Sequence, residues 1–159
     1  MSNRLKQLHD AGVSLWLDFI ERTMLHNGEL ERRIRDDALT GMTSNPTIFE
    51  KALSTGDWYD EQLAELAGEA DPKEIFLALA VQDVQGACDA MRPVWERTRG
   101  VDGYVSLEVD PELAYERGPT YDEAKRLTEL AARPNLLVKI PATEPGLGAI
   151  EDSIAEGRS

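Results

Sequence analysis

The chain has 159 residues, 42% of them hydrophobic and 30% charged, a balance that suits one domain over residues 1–159 with a substantial core and excludes wholesale disorder. Lys and Arg number 17 against 30 Asp and Glu, a formal net charge of −13 that repels phosphate backbones and anionic headgroups. No nucleic acid and no membrane is therefore expected as a partner.

Taken in chain order, Met1-Ser-Asn-Arg-Leu-Lys6 lacks the apolar run of a signal peptide, which points to a cytoplasmic protein. Val13–Phe19 alternates with period two and predicts a strand. Ile20–Leu39 has helical spacing broken near Asn27-Gly28, and Leu39–Ser44 is a weaker strand running into Asn45-Pro46. Asn before Pro starts a helix, because Asn is a good cap and Pro suits the first helical position. That helix runs to about Leu53, and another is expected over Trp58–Ala67. The longest spans Pro72–Arg99, with Ile75, Leu79, Val81 and Val84 near one face and Pro93 a candidate kink. The single cysteine, Cys88, sits inside it and reads as a small buried apolar residue; with only His9 and His26 besides, it gives no disulfide and no basis for a zinc site. Both histidines are expected in exposed helical or turn segments, without a role. Gly103–Val109 is a third strand closed by Asp110-Pro111, Thr120–Ala131 an amphipathic helix, Asn135–Ile140 a fourth strand closed by Pro141, and Ile150–Ala155 a last helix. The longest apolar stretch, Ile75 to Val81, is too short to span a bilayer.

Strands separated by helices imply parallel pairing through right-handed crossovers, in either a small doubly wound sheet or part of a β/α barrel. No Gly-rich phosphate fingerprint follows any strand. Alternation sorts the strand residues into two sets. Val13, Leu15, Leu17, Phe19, Val105, Leu107, Val109, Leu136, Val138 and Ile140 form an all-apolar parity that a helix layer would cover. Ser14, Trp16, Asp18, Tyr104, Ser106, Glu108, Asn135, Leu137 and Lys139 form the other, with Asp18, Glu108 and Lys139 expected at matching heights facing an interior able to hold charge. Polar groups at the C-terminal ends of parallel strands suit a barrel whose site lies there.

A lysine inside an apolar strand is unusual, since desolvating an ammonium is costly. Lys139 is then either an inert ion-pair partner of Asp18 or Glu108, or an amine able to attack a carbonyl. The two carboxylates are either its partners or proton carriers. On pattern alone Asn45 is a helix cap, and Trp16 a core or barrel-lining aromatic.

Leu15-Trp-Leu-Asp18, Gly41-Met-Thr-Ser-Asn-Pro-Thr-Ile-Phe-Glu-Lys51, Asp102-Gly-Tyr-Val-Ser-Leu-Glu-Val-Asp-Pro111 and Arg133-Pro-Asn-Leu-Leu-Val-Lys-Ile-Pro-Ala-Thr143 together resemble the successive signatures of transaldolases, most nearly their longer bacterial branch. The resemblance implies a parallel (β/α)8-barrel type fold, here about its first four β/α units, since a whole barrel takes about 250 residues. It implies that Lys139 forms a Schiff base with a ketose phosphate, that Asp18 accepts the C4 hydroxyl proton, that Glu108 acts through a water, and that Asn45 hydrogen-bonds the bound dihydroxyacetone unit. The implied reaction moves that unit between sugar phosphates of the pentose phosphate pathway, with no metal and no organic cofactor. The family's phosphate-holding groups come from later strands, so this chain alone is expected to be weakly active or inactive, with self-association through open sheet edges. A Schiff-base aldolase acting on fructose 6-phosphate and a non-catalytic barrel fragment are the alternatives.

Overall fold

The structure is a computed structural model and describes residues 3–54, 56–66, 68 and 71–158. Four strands, β1 (Leu15–Asp18), β2 (Leu39–Thr43), β3 (Tyr104–Glu108) and β4 (Leu136–Lys139), form one parallel sheet in the order β1-β2-β3-β4. Helices fill the connections: α1 (Arg4–Asp10) precedes β1; α2 (Arg22–His26) and α3 (Glu29–Asp36) join β1 to β2. Helices α4 (Pro46–Leu53), α5 (Asp60–Leu66) and α6 (Pro72–Thr98) lead to β3; a 3₁₀ turn (Pro111–Leu113) and α7 (Arg117–Ala131) lead to β4; α8 (Glu144–Ala155) follows. The last residue of the expected helix Trp58–Ala67 lies outside the described residues.

Local chemistry sets most of these bounds. Asn45 caps α4 by accepting the Ile48 N–H at 3.0 Å, with Pro46 in the first turn. Asp71 caps α6, which runs unbroken through Pro93 and ends where Arg99 turns left-handed at φ 56. Helix α8 starts at Glu144, earlier than the expected Ile150, because Thr143 caps it through the Gly146 N–H at 3.1 Å. Gly146 permits close packing there: a Cβ at this position would lie 2.1 Å from the Pro141 carbonyl oxygen. Helix α1, absent from the sequence expectation, is held by Asn3, which caps it and donates to the Asp36 carbonyl at 2.7 Å.

The apolar parity is covered on the inner strands, whereas Val13 and Phe19, which flank β1, are exposed at 44% and 38%. Met42, Val105 and Val109 are fully buried against Val84, Cys88, Met91 and Leu127 of α6 and α7. Burial pushes the Cys88 thiol up to about 12. Behind α2, Arg22 pairs with Asp83 of α6, Nε to Oδ1 at 2.7 Å, and the Tyr59 hydroxyl donates to the other carboxylate oxygen at 2.6 Å. No described helix is long and apolar enough to cross a membrane.

The opposite parity lines a face that is largely open to solvent, except that Ser106 is nearly inaccessible and Asn135 is buried, donating to the Cys88 and Gly103 carbonyls. Asp18 is exposed there, Trp16 is 40% exposed and the Glu108 side chain 19%, so the charges line a face that is open to solvent. The four strands form an open sheet with β1 and β4 at its edges. Trp16 lies across Gly41, where a Cβ would sit 2.4 Å from the indole.

Candidate active site

Lys139 and Glu108 are direct register partners at the C-terminal ends of β4 and β3, so their side chains leave the same face side by side. Lys139 Nζ lies 2.8 Å from Glu108 Oε2 and donates to the Ser44 carbonyl at 3.3 Å. The ammonium thus reaches past β3 to the residue following β2. Ser44 is fully buried and anchored by its own hydroxyl, which donates to the Ser106 carbonyl at 2.6 Å. The lysine side chain remains 40% exposed and the glutamate 19%. An amine held between a carboxylate and a carbonyl, with one side open, can pass a proton to the carboxylate and meet a carbonyl carbon from the concave face.

Asp18 projects from the same face of β1, where it is the register partner of Thr43, whose hydroxyl donates to Asp18 Oδ1 at 2.5 Å. Because Met42 pairs with Val105, Thr43 falls level with Ser106 in the ladder, so Asp18 stands two residues behind Glu108 and Lys139. The expectation of matching heights is corrected in that sense. The cause is stagger between strands, reduced by one residue through a bulge in which Thr40 is the extra residue of β2.

Asn45 sits beside Ser44 and is half-buried. Its Oδ1 is engaged as the α4 cap, while its Nδ2 forms no hydrogen bond among the described residues. Cap and ligand donor therefore use different atoms of one side chain. Both ideas about Lys139 also meet the geometry, because an ion pair with Glu108 is formed and its ammonium is still reachable.

Sequence reasoning passed over Ser106. It lies on the concave face two positions before Glu108, nearly inaccessible, and its Oγ has no hydrogen-bond partner among the described residues. Period-two alternation already placed Ser106 in the same parity as Glu108, which was the available signal. His9 and His26 are exposed, with the His26 ring stacked 5.7 Å from that of Trp58.

Residues 15–159 match the family model described as transaldolase/fructose-6-phosphate aldolase. The chain is 50% identical over 160 residues to a transaldolase of Thermobifida fusca, covering all of this chain and 44% of that protein. It is 48% identical over 160 residues to one of Frankia alni, covering all of this chain and 43% of that protein. A transaldolase of Mycobacterium ulcerans is 49% identical over 98% of this chain and 42% of its own length. The chain thus spans less than half the length of the curated relatives it matches. Four parallel β/α units, a lysine–carboxylate pair at the strand ends and these matches lead to one assignment: the chain belongs to the transaldolase/fructose-6-phosphate aldolase family.

Proposed function

We propose that this chain carries the amine-and-carboxylate portion of a transaldolase. The observation that carries the reading is the half-open Lys139–Glu108 pair, 2.8 Å apart on the concave face of the sheet. Lys139 Nζ attacks the C2 carbonyl of a ketose phosphate, and loss of water leaves a protonated imine. Asp18 takes the C4 hydroxyl proton as the C3–C4 bond breaks, and the imine holds the electron pair that the departing aldehyde leaves behind. The retained dihydroxyacetone unit then adds to the aldehyde carbon of an acceptor aldose phosphate, and Asp18 returns the proton. Glu108 moves protons through a water while the imine forms and hydrolyses. Asn45 Nδ2, without a hydrogen-bond partner among the described residues, donates to the dihydroxyacetone unit. The reading needs no cofactor and belongs to sugar-phosphate metabolism in the cytoplasm.

With Asp18 exposed and the concave face uncovered, the chain by itself orients substrate poorly and turns over slowly or not at all. The test is borohydride reduction of the chain with fructose 6-phosphate, followed by intact mass and peptide mapping. A label confined to Lys139, slower than in a full-length relative and absent from Lys139→Met, is expected. Label scattered over surface lysines, or none where the relative labels, overturns the assignment. Product analysis with and without an acceptor aldehyde separates transfer from simple aldol cleavage.

A further inference from the structure

Asp18 is held only lightly by its own contacts. It is exposed, and among the described residues its carboxylate accepts one hydrogen bond, from the Thr43 hydroxyl. Where that carboxylate stands is therefore set by the backbone of β1 and by how the chain leaves the strand. The corner is short: Phe19, Ile20 and Glu21 separate Asp18 from the start of α2 at Arg22, and Ile20 is fully buried. Helix α2 has five residues and no side-chain cap at Glu21, so it does not anchor its own N-terminus.

The anchor lies behind the corner. The backbone N–H of Arg22 donates to the Tyr59 hydroxyl at 3.2 Å, and that hydroxyl donates to Asp83 Oδ2 at 2.6 Å. Arg22 Nε donates to Asp83 Oδ1 at 2.7 Å, and its terminal nitrogens reach the Trp58 and Leu79 carbonyls at 3.5 Å each. Backbone and side chain of one residue thus converge on a single buried carboxylate of α6. Tyr59 is buried as well, in the segment between α4 and α5, and α4 starts from the Asn45 cap. Asp83 in this way joins to the longest helix the segments that follow both Asp18 and Asn45. Apolar residues of similar volume often stabilise a core as well as a buried ion pair does, so stability alone is a weak reason for this arrangement. Directional bonds to a fixed carboxylate hold the corner in one place.

We propose that Asp83 and Tyr59 are positioning residues for the reaction: their network with Arg22 sets the β1–α2 corner and so aims the Asp18 carboxylate at the C4 hydroxyl of the sugar. This role presupposes Asp18 as the proton carrier. The described hydrogen bonds of the network all end on α2, on α6 and on the segment between α4 and α5, so imine formation at Lys139 does not depend on it.

Borohydride trapping with fructose 6-phosphate separates the two steps by mass. Reduction before C3–C4 cleavage leaves a six-carbon phosphorylated adduct on Lys139; reduction after it leaves a three-carbon adduct without phosphate. Tyr59→Phe keeps the ring beside the Arg22 guanidinium and removes the hydroxyl that joins Arg22 to Asp83. The ratio of three-carbon to six-carbon adduct is expected to fall about tenfold or more, while total labelling of Lys139 and the circular dichroism hold. Asp83→Asn should move the ratio the same way. Val94→Ala opens a cavity near the other end of α6 and serves as the stability control, with the ratio of the parent chain expected. An unchanged ratio in folded Tyr59→Phe overturns the positioning role, and so does an equal fall in Val94→Ala. A parent chain that gives only the six-carbon adduct overturns it too, because Asp18 is then not aimed at all. Asp18→Asn tells the two failures apart. If it keeps the parent's ratio, the assignment of Asp18 falls and the positioning role with it; if it abolishes the three-carbon adduct while Tyr59→Phe does not lower it, only the positioning role falls.

Discussion

Two ion pairs in this chain have nearly the same length and opposite consequences. Arg22–Asp83 closes at 2.7 Å with side chains 7% and 2% exposed, and Lys139–Glu108 at 2.8 Å with side chains 40% and 19% exposed. In the first, every oxygen of Asp83 is taken, one by the guanidinium and one by the Tyr59 hydroxyl, and the guanidinium lies 4.2 Å over the Tyr59 ring. In the second, the lysine keeps a solvent side and its carbonyl contact to Ser44 is a long 3.3 Å. Saturation of partners, more than the pair itself, separates a fastener from a reagent. A buried and satisfied pair has no vacancy for a substrate, while a half-open one can exchange partners.

Breaking the buried pair gives the largest effect. Asp83→Ala leaves the Arg22 guanidinium inaccessible and uncompensated, which costs about 3–5 kcal/mol and moves the urea midpoint accordingly. Lys139→Met, at the half-open pair, is expected to cost no more than about 1 kcal/mol by the same measurement, since exposed ion pairs contribute little. Equal losses in the two variants would erase the distinction.

The two sides of the sheet differ in the same way at their glycines. Gly103 has φ +87 and a Cβ there would lie 2.3 Å from the Trp95 backbone nitrogen, on the covered side. Gly103→Ala must move backbone and is expected to cost about 1–3 kcal/mol, checked by thermal unfolding. Gly41→Ala meets only the Trp16 indole, which is 40% exposed over the open face and can swing away. Its expected signature is a shift of tryptophan emission with a smaller loss of stability. A larger loss at Gly41 would mean that the concave face is more rigid than its exposure implies.

Alkaline pH sharpens the contrast further. Burial, then the hydrogen bond to Asp83, pushes the Tyr59 hydroxyl well above its ordinary range, and burial pushes the Cys88 thiol up to about 12. Both bind their protons more tightly in the folded chain, so their contribution is complete below the ordinary values and is lost as pH rises above them. Stability is expected to fall from about pH 9 upward, by at most ~1.4 kcal/mol per pH unit for each group. Tyr59→Phe should remove the tyrosine share of that slope. A flat profile above pH 10 in the parent chain would place both groups in wetter surroundings.

Much of the open pair was legible because a strand alternates: Glu108 and Lys139 end two strands in one parity, and the parallel ladder joins them directly. The buried pair was not, because Arg22 and Asp83 lie in separate helices 61 positions apart, and nothing local marks an aspartate between Val81 and Val84 as paired. Asp18 was correctly faced and wrongly levelled, since the stagger of β1 against β2 and β3 depends on which strand pairs with which. Helix α1 escaped notice for a related reason: its leucines cover no core, so its pattern carried no burial to recognise.

The smallest effect discriminates most finely, because Asn45 joins the two kinds of role in one side chain. Asn45→Ala removes the acceptor of the Ile48 N–H and is expected to cost about 1 kcal/mol. Asn45→Asp keeps a good cap and adds negative charge at a helix N-terminus, so stability should be retained or slightly raised, but it replaces the Nδ2 donor. If borohydride labelling of Lys139 falls in both variants while stability falls only in the alanine one, the donor serves the sugar. If labelling follows stability through both, Asn45 is a cap and the dihydroxyacetone unit is held by other groups. A side chain whose two ends answer to different measurements lets a structural role be subtracted from a chemical one.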